Sequence, residues 1–293
     1  MRTTYRMMGL ADYITLINGL FGSAAIIFVI LAVTDLQEPY QDGIRSRYIW
    51  AAQLCILLSV IGDIIDGPIA RRYSKKQLLG GSLDIMSDCI SFGLAPAIIV
   101  FVLYGRMGEA TPVWTFFLAL GCCWIIVAAM LRLARFEHDE GSGYTYFFGL
   151  SSPANAIFLL SLSSLIWVQP STGIGPGLST WDCDVCFGGG VDKPWFDFII
   201  LPALFLSGSL MISDRKMPKL KGGKQMLLSV AALLSLLIGI ILQLRHTIGD
   251  FPELEEAAGI SSLVLFGFTF CLAVVYFMLG PYLVENSNVN EDE

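Results

Sequence analysis

The chain has 293 residues, of which 55% are hydrophobic and 15% are charged, and its formal net charge is −7. A mean hydropathy of +0.68 excludes an ordinary soluble domain and is typical of proteins that cross a membrane several times. The sequence has neither a basic arm nor a lysine-rich face, which argues against nucleic acid as a partner.

Eight apolar segments are long enough to cross a bilayer, which requires about 20 residues in helical form. They lie at approximately 12–33, 48–70, 82–104, 113–134, 147–168, 194–213, 224–244 and 260–281. The sequence therefore predicts an all-α fold, a polytopic membrane bundle of about eight helices that forms one integral membrane domain over 1–293. The first segment lacks a small-residue cleavage pattern, so we interpret it as a retained helix.

The distribution of Lys and Arg predicts how the bundle is oriented. If the N-terminus is cytoplasmic, only five of the 18 Lys and Arg fall on the outer side, and the other 13 fall on the inner side. The five are Arg45, Arg47, Arg106, Lys193 and Arg245. This bias follows the positive-inside rule, and it places both termini in the cytoplasm because the number of spans is even.

Four aspartates lie at the end of the second predicted span and at the start of the third, and they are the most informative residues of the chain. Asp63 and Asp66 are three residues apart, and Asp84 and Asp88 are four apart, so each pair lies on one face of a helix. An ionised carboxylate in a membrane costs about 2.5–3.5 kcal/mol on insertion scales. Four of them predict bound cations, and oxygen ligands suit Mg²⁺, Mn²⁺ or Ca²⁺ rather than zinc.

Small and basic residues separate the two acidic pairs. The small ones allow a ligand or a second helix to approach the backbone closely, and the basic ones are candidates for holding phosphate. The small residues are Gly67, Ala70, Gly80 and Gly81, and the basic residues are Arg71, Arg72, Lys75 and Lys76.

Together these residues fill the pattern D-x2-D-G-x2-A-R-x8-G-x3-D-x3-D over residues 63–88. Eight fixed positions that bridge two membrane helices make a specific signal, and the pattern resembles the signature of the CDP-alcohol phosphotransferase family. The resemblance implies a two-metal membrane enzyme that moves a phosphatidyl-type group from a CDP-linked lipid to an alcohol and releases CMP.

Further stretches resemble the phosphatidylserine synthase branch of that family. They are DYITLINGLFG at 12–22, LRLARF at 131–136, FGLSSPANA at 148–156 and the short basic loop MISDRKMPKLK at 211–221. The resemblance implies a catalytic core over 12–168, with additional C-terminal helices over 194–281. Archaetidylserine synthases use the same chemistry on an ether lipid, and the sequence does not separate the ester from the ether substrate.

The resemblance also implies roles for individual residues. Two divalent ions, Mg²⁺ or Mn²⁺ with Ca²⁺ as a further candidate, would be held by Asp63, Asp66, Asp84 and Asp88, with Asp88 as general base. The CDP-lipid would contact Asn18, Gly67, Ala70, Arg71 and Gly80, while Arg132 and Arg135 would bind the carboxylate of L-serine or the lipid phosphate. A homodimer in the cell membrane, with its active site facing the cytoplasm, is the expected assembly.

Alternatives remain open at this point. The acceptor could be glycerol phosphate or inositol phosphate, and intramembrane acids also occur in divalent cation transporters. Asn18 could make an interhelical hydrogen bond, and Arg71, Arg132 and Arg135 could be charges that set topology. Cys183 and Cys186 form a CxxC pair, for which a local disulfide or ordinary thiols are the favoured interpretations.

Overall fold

The structure is a computed structural model that describes residues 9–33, 45–73, 80–105, 112–139, 146–168, 180–181, 191–192, 199–218, 223–248 and 255–289. Within these ranges the chain is almost entirely helical. The helices are α1 (Leu10–Val33), α2 (Ser46–Tyr73), α3 (Gly80–Asp88), α4 (Ala95–Tyr104), α5 (Pro112–Asp139), α6 (Ser152–Trp167), α7 (Ile200–Ile212), α8 (Gly223–Ile248) and α9 (Glu255–Val289). The strands are β1 (Tyr146–Phe148), β2 (Thr180–Trp181), β3 (Val191–Asp192) and β4 (Lys216–Pro218).

The all-α, polytopic membrane fold that the sequence predicts is confirmed. Within the described ranges, six stretches are long and apolar enough to cross a bilayer, namely Asp12–Val33, Ser46–Ile65, Gly80–Tyr104, Pro112–Phe136, Met226–Arg245 and Gly259–Tyr282. Helices α6 and α7, at the predicted fifth and sixth spans, have only 16 and 13 residues. They are therefore about 24 and 20 Å long, less than a hydrocarbon core of about 30 Å. Eight spans of equal length are not found in the described ranges, so the count of eight stays a prediction.

A two-stranded ribbon connects the chain before α6 to the chain after α7. β1 and β4 are antiparallel, with Tyr146 opposite Pro218 and Phe148 opposite Lys216. Because β1 precedes α6 and β4 follows α7, the start of α6 and the end of α7 lie at the same end of the bundle. The basic segment 211–221, expected as a loop, thus contains the end of α7 and a strand.

Glycines allow α1 to pack very closely against the helix that follows the acidic motif. A Cβ atom placed on Gly22 would lie 2.8 Å from the Cα of Ser91, and one placed on Gly19 would lie 3.1 Å from the Oγ of Ser87. Real Cβ atoms do not approach a backbone atom so closely. The two glycines therefore set the distance between α1 and the segment around Ser87 and Ser91, as small residues do between membrane helices.

A π-helical segment, Cys89–Leu94, begins at the residue after Asp88 and connects α3 to α4. The sequence predicts one regular helix over 82–104, and the structure departs from it here. Pro96 lies in the first turn of α4 and has no backbone N–H to donate to the preceding turn. The wider π turn accommodates this missing hydrogen bond, and such segments are frequent at functional sites.

Aromatic side chains form the core at the start of α2. The rings of Trp50 and Trp167 have centroids 5.2 Å apart, and those of Trp50 and Phe266 are 5.9 Å apart. All three side chains are fully buried. These contacts connect the start of α2, the end of α6 and the first half of α9.

Candidate functional site

Three of the four predicted metal ligands lie together in space. Asp63 is in α2, while Asp84 and Asp88 are in α3. One carboxylate oxygen of each residue lies within 4.8 Å of the corresponding oxygens of the other two. Asp88 is buried and the other two side chains are partly buried. We call these three residues the acidic cluster, and the end of the bundle that carries it the acidic end.

The acidic cluster fits a divalent cation. Two oxygens bound to one Mg²⁺ at 2.0–2.1 Å, or to one Ca²⁺ at 2.3–2.6 Å, are separated by at most about 4–5 Å. The oxygens of the cluster, within 4.8 Å of one another, meet the wider of these limits, that of Ca²⁺, and carboxylates are the ligands that hard cations prefer. Like charges repel at this distance, and ionised groups are costly inside an apolar bundle, so a bound cation would relieve both penalties.

The remaining residues of the motif lie in the last turns of α2 and at the first residue of α3. Asp66, Gly67, Ala70 and Arg71 lie in the last turns of α2, and their side chains are outside the described part of the structure. Gly80 is buried and is the first residue of α3. Cys183 and Cys186 also lie outside the described residues, so the interpretations of the CxxC pair stay predictions.

Asn18 is held in place from two sides. Its backbone oxygen accepts hydrogen bonds from the hydroxyls of Ser59, at 2.8 Å, and Ser91, at 3.2 Å. The Ser59 hydroxyl also donates to the side-chain Oδ1 of Asn18. The Nδ2 group of Asn18 is buried and has no hydrogen-bond partner among the described residues. The Oδ1 half of the amide thus makes the interhelical hydrogen bond that the alternative interpretation expects, and the assignment of Asn18 to the CDP-lipid stays a prediction.

Arg132, near the end of α5, lies beside the acidic cluster. Its side chain is 8% exposed, and its Nη1 donates to the Oγ of Ser152 at 3.0 Å. Its guanidinium interacts electrostatically with Asp88 and Asp63. The Nε–H of Arg132 is buried without a hydrogen-bond partner in the described ranges. A buried guanidinium with an unpaired N–H group is well suited to bind an anionic group of a ligand.

Arg135 lies in a different environment from Arg132. Its Nη1 forms an ion pair with Asp214 at 2.8 Å, and its guanidinium lies 4.6 Å from the centroid of the Phe148 ring. The two charged side chains are 38% and 86% exposed, so this ion pair is at the surface. The structure therefore places Arg132 at the acids and Arg135 in a surface ion pair with the chain after α7.

Several buried polar residues escaped the sequence interpretation. Asn155 in α6 is fully buried, and neither atom of its amide group has a hydrogen-bond partner among the described residues. The hydroxyl of Tyr276 in α9 and the Oδ1 of Asp12 are also buried without a hydrogen-bond partner among the described residues. The other carboxylate oxygen of Asp12, Oδ2, accepts a hydrogen bond from the backbone N–H of Gly9 at 2.8 Å. Polar side chains inside apolar helices were the available signal, because such residues commonly mark functional sites in membranes.

A multi-pass membrane protein with a carboxylate cluster between two helices is the class that fold and site define. Within that class, a family model described as CDP-alcohol phosphatidyltransferase matches residues 8–185, which is more than half of the chain. The chain belongs to the CDP-alcohol phosphatidyltransferase family. This family generally depends on divalent metal ions, in agreement with the acidic cluster.

Curated relatives share the matched part of the chain. The CDP-diacylglycerol–serine O-phosphatidyltransferase of Saccharomyces cerevisiae is 31% identical over 166 residues, 54% of this chain and 54% of the yeast protein. The Mycobacterium leprae protein of the same name is 36% identical over 45% of this chain and 42% of its own length. The archaetidylserine synthase of Methanothermobacter thermautotrophicus is 34% identical over 38% of this chain and 45% of its own length. The chain thus spans about half the length of the curated relatives it matches.

Proposed function

We propose that this protein transfers a phosphatidyl or archaetidyl group from a CDP-linked lipid to the hydroxyl of L-serine and releases CMP. The observation that carries the proposal is the acidic cluster with Arg132 beside it, because it puts a cation site next to a buried anion-binding group. Membership of the family supports CDP-lipid chemistry over cation transport. The names of the yeast and mycobacterial relatives support serine as the acceptor.

The acidic cluster would activate the lipid phosphate. Asp63, Asp66, Asp84 and Asp88 would hold two divalent ions, either Mg²⁺ or Mn²⁺. These ions would offset the negative charge on the pyrophosphate and on departing CMP. The Nδ2 of Asn18 is an unpaired donor for the nucleotide, and Gly67, Ala70, Arg71 and Gly80 would complete the CDP-lipid site.

Asp88 is the residue that we assign to proton transfer. The serine Oγ forms a bond to the lipid phosphorus as the bond from that phosphorus to the CMP oxygen breaks, and the hydroxyl proton passes to Asp88. A general base must lie within about 2.6–3.2 Å of the donor oxygen, or act through one water. Asp88 is the last residue of α3, and its carboxylate interacts with Arg132, which we assign to the anionic group of the acceptor.

The test is CMP release by the purified protein with CDP-diacylglycerol and with its ether-lipid equivalent. We expect release to require both Mg²⁺ or Mn²⁺ and L-serine, and we expect a serine-containing lipid to appear in equal amount. EDTA should abolish both signals. Release with glycerol phosphate or inositol phosphate, and none with serine, would assign a different acceptor.

We further propose that the protein is a homodimer in the cell membrane and that its acidic end faces the cytoplasm. The positive-inside distribution of Lys and Arg supports this orientation, and the resemblance to the family supports the dimer. Mass measurement of the protein in lipid nanodiscs tests the assembly, and a particle that contains one chain would contradict the dimer.

A further inference from the structure

Helix α9 lies outside the residues that match the family model and yet reaches the acidic end. The family model ends at residue 185, and α9 covers Glu255–Val289. Tyr276 of α9 has a buried hydroxyl without a hydrogen-bond partner among the described residues. The same side chain interacts electrostatically with Arg132.

Close packing at Gly280 holds α9 in this position. Gly280 lies four residues after Tyr276 and therefore on the same face of the helix. A Cβ atom on Gly280 would lie 2.7 Å from the Sδ of Met217 in β4, so a larger residue there would require the Met217 side chain to move. Tyr276 and Met217 belong to one small apolar cluster with Leu150, which precedes α6.

Helix α6 supplies a second unpaired group on the side facing α9. Ser152, which accepts the hydrogen bond from Arg132, and Asn155 are three residues apart on one face of α6. One further turn along, the ring of Phe158 lies 5.0 Å from that of Phe277, the neighbour of Tyr276. The unpaired amide of Asn155 is thus on the face of α6 that carries the contacts to Arg132 and to α9.

The chemistry of these groups favours one class of acceptor. Arg132 carries one positive charge, whereas a tyrosine hydroxyl and an asparagine amide are neutral hydrogen-bonding groups. The second arginine, Arg135, is paired with Asp214. Among the described residues, Arg132 is the cation that interacts with Tyr276, and one cation supported by neutral donors matches a single carboxylate.

We propose that Tyr276 binds the carboxylate of an amino-acid acceptor together with Arg132, and that the amide of Asn155 contacts the same acceptor. Tyr276 is then a specificity-determining residue that the C-terminal helix adds to the family domain. This proposal rests on the proposed function, since it assumes that an alcohol acceptor enters beside the acidic cluster.

The test compares Tyr276→Phe with Tyr282→Phe, which removes the same hydroxyl from an exposed position on the same helix. A hydrogen bond to a charged group predicts that Tyr276→Phe raises KM for L-serine about 10- to 100-fold, with kcat and the KM for the CDP-lipid within about twofold of wild type. L-Serine should also protect wild type and Tyr282→Phe against thermal unfolding, but not Tyr276→Phe. Without serine, the Tm of Tyr276→Phe should be equal to or above that of wild type, because no hydrogen bond within the described residues is lost.

A KM for L-serine of Tyr276→Phe within twofold of wild type would overturn the proposal. A Tm of this variant below that of wild type, with an unchanged KM, would also overturn it, because that result indicates a structural role. Failure of the proposed function gives a different result. If the wild-type protein uses another alcohol instead of serine, the assignment of serine as the acceptor is wrong. A raised KM for that alcohol in Tyr276→Phe, but not in Tyr282→Phe, would still support an acceptor site at Tyr276. A wild-type protein that uses no acceptor overturns both.

Discussion

At the scale of single residues, burial separates side chains that have the same chemistry. Arg132 and Arg135 lie one turn apart on α5, but Arg132 is buried and interacts with Asp88 and Asp63, whereas Arg135 is at the surface. Arg135 is paired with exposed Asp214, and surface ion pairs contribute only about 0–1 kcal/mol. The assignment of roles at this site therefore follows from position rather than from residue type.

Replacement of Asp88 by Asn tests its assignment as general base. The amide has nearly the same size but cannot accept the serine proton, so we expect turnover to fall about 10²- to 10⁴-fold while CDP-lipid binding is largely retained. CMP release and equilibrium binding of the CDP-lipid are the measurements. Asp214→Asn, an acid outside the acidic cluster, is the control and should retain activity. Near-normal turnover of Asp88→Asn would remove Asp88 from this role.

At the scale of secondary-structure elements, glycines and the π-helical segment determine how α1 packs against the acidic motif. The Cβ atom of an alanine at Gly22 would lie 2.8 Å from the Cα of Ser91, which cannot rotate away. The segment Cys89–Leu94 has to shift as a unit or α1 has to move. Either movement changes how α1 packs against the helix that carries Asp84 and Asp88.

Gly22→Ala should therefore destabilise the protein by about 1–3 kcal/mol, as overpacking of a close contact does. The matched control is Gly81→Ala, because a Cβ atom there has nothing within 4 Å. The control should leave stability unchanged or raise it by up to about 1 kcal/mol, since alanine favours helix over glycine. Thermal unfolding in detergent compares the two, and an equal Tm for both variants would contradict the close packing.

At the scale of the whole molecule, the acidic cluster, Arg132 and the Arg135–Asp214 ion pair lie at one end of the bundle. Arg132, Asp214 and the β1–β4 ribbon lie at the acidic end, and the aromatic core around Trp50 lies toward the other. Arg47 is 16 residues before Asp63 on α2, which corresponds to about 24 Å along the helix axis. Asp214 and Arg47 are therefore expected on opposite sides of the membrane.

Labelling with a membrane-impermeant maleimide tests this topology. Asp214→Cys and Arg47→Cys are introduced singly after replacement of the seven native cysteines. Vesicles with the cytoplasmic face inward should label only Arg47→Cys, and inverted vesicles should label only Asp214→Cys, because the acidic end is proposed to face the cytoplasm. Labelling of both positions from the same side would contradict the prediction that Arg47 and Asp214 lie on opposite sides of the membrane.

The lengths of α6 and α7 differ from those that hydropathy predicts. Hydropathy located the six long apolar stretches found among the described residues, because a spanning segment has to be apolar along its whole length. It assigned full spans to the regions of α6 and α7, which have 16 and 13 residues. A buried helix between other helices is as apolar as one in contact with lipid, so hydropathy alone does not distinguish the two cases.

The sequence by itself determined the membrane class, the spacing of the aspartates and the resemblance to the family, because all three are local properties of a helical chain. Residues three or four apart share a helix face whatever the rest of the fold does. Only the tertiary structure decided that Arg132 meets the acidic cluster, that Arg135 pairs with Asp214, and that Tyr276 comes within reach of Arg132. Those contacts depend on which helices pack together and how closely glycines let them approach, and periodicity along the chain carries no information about either.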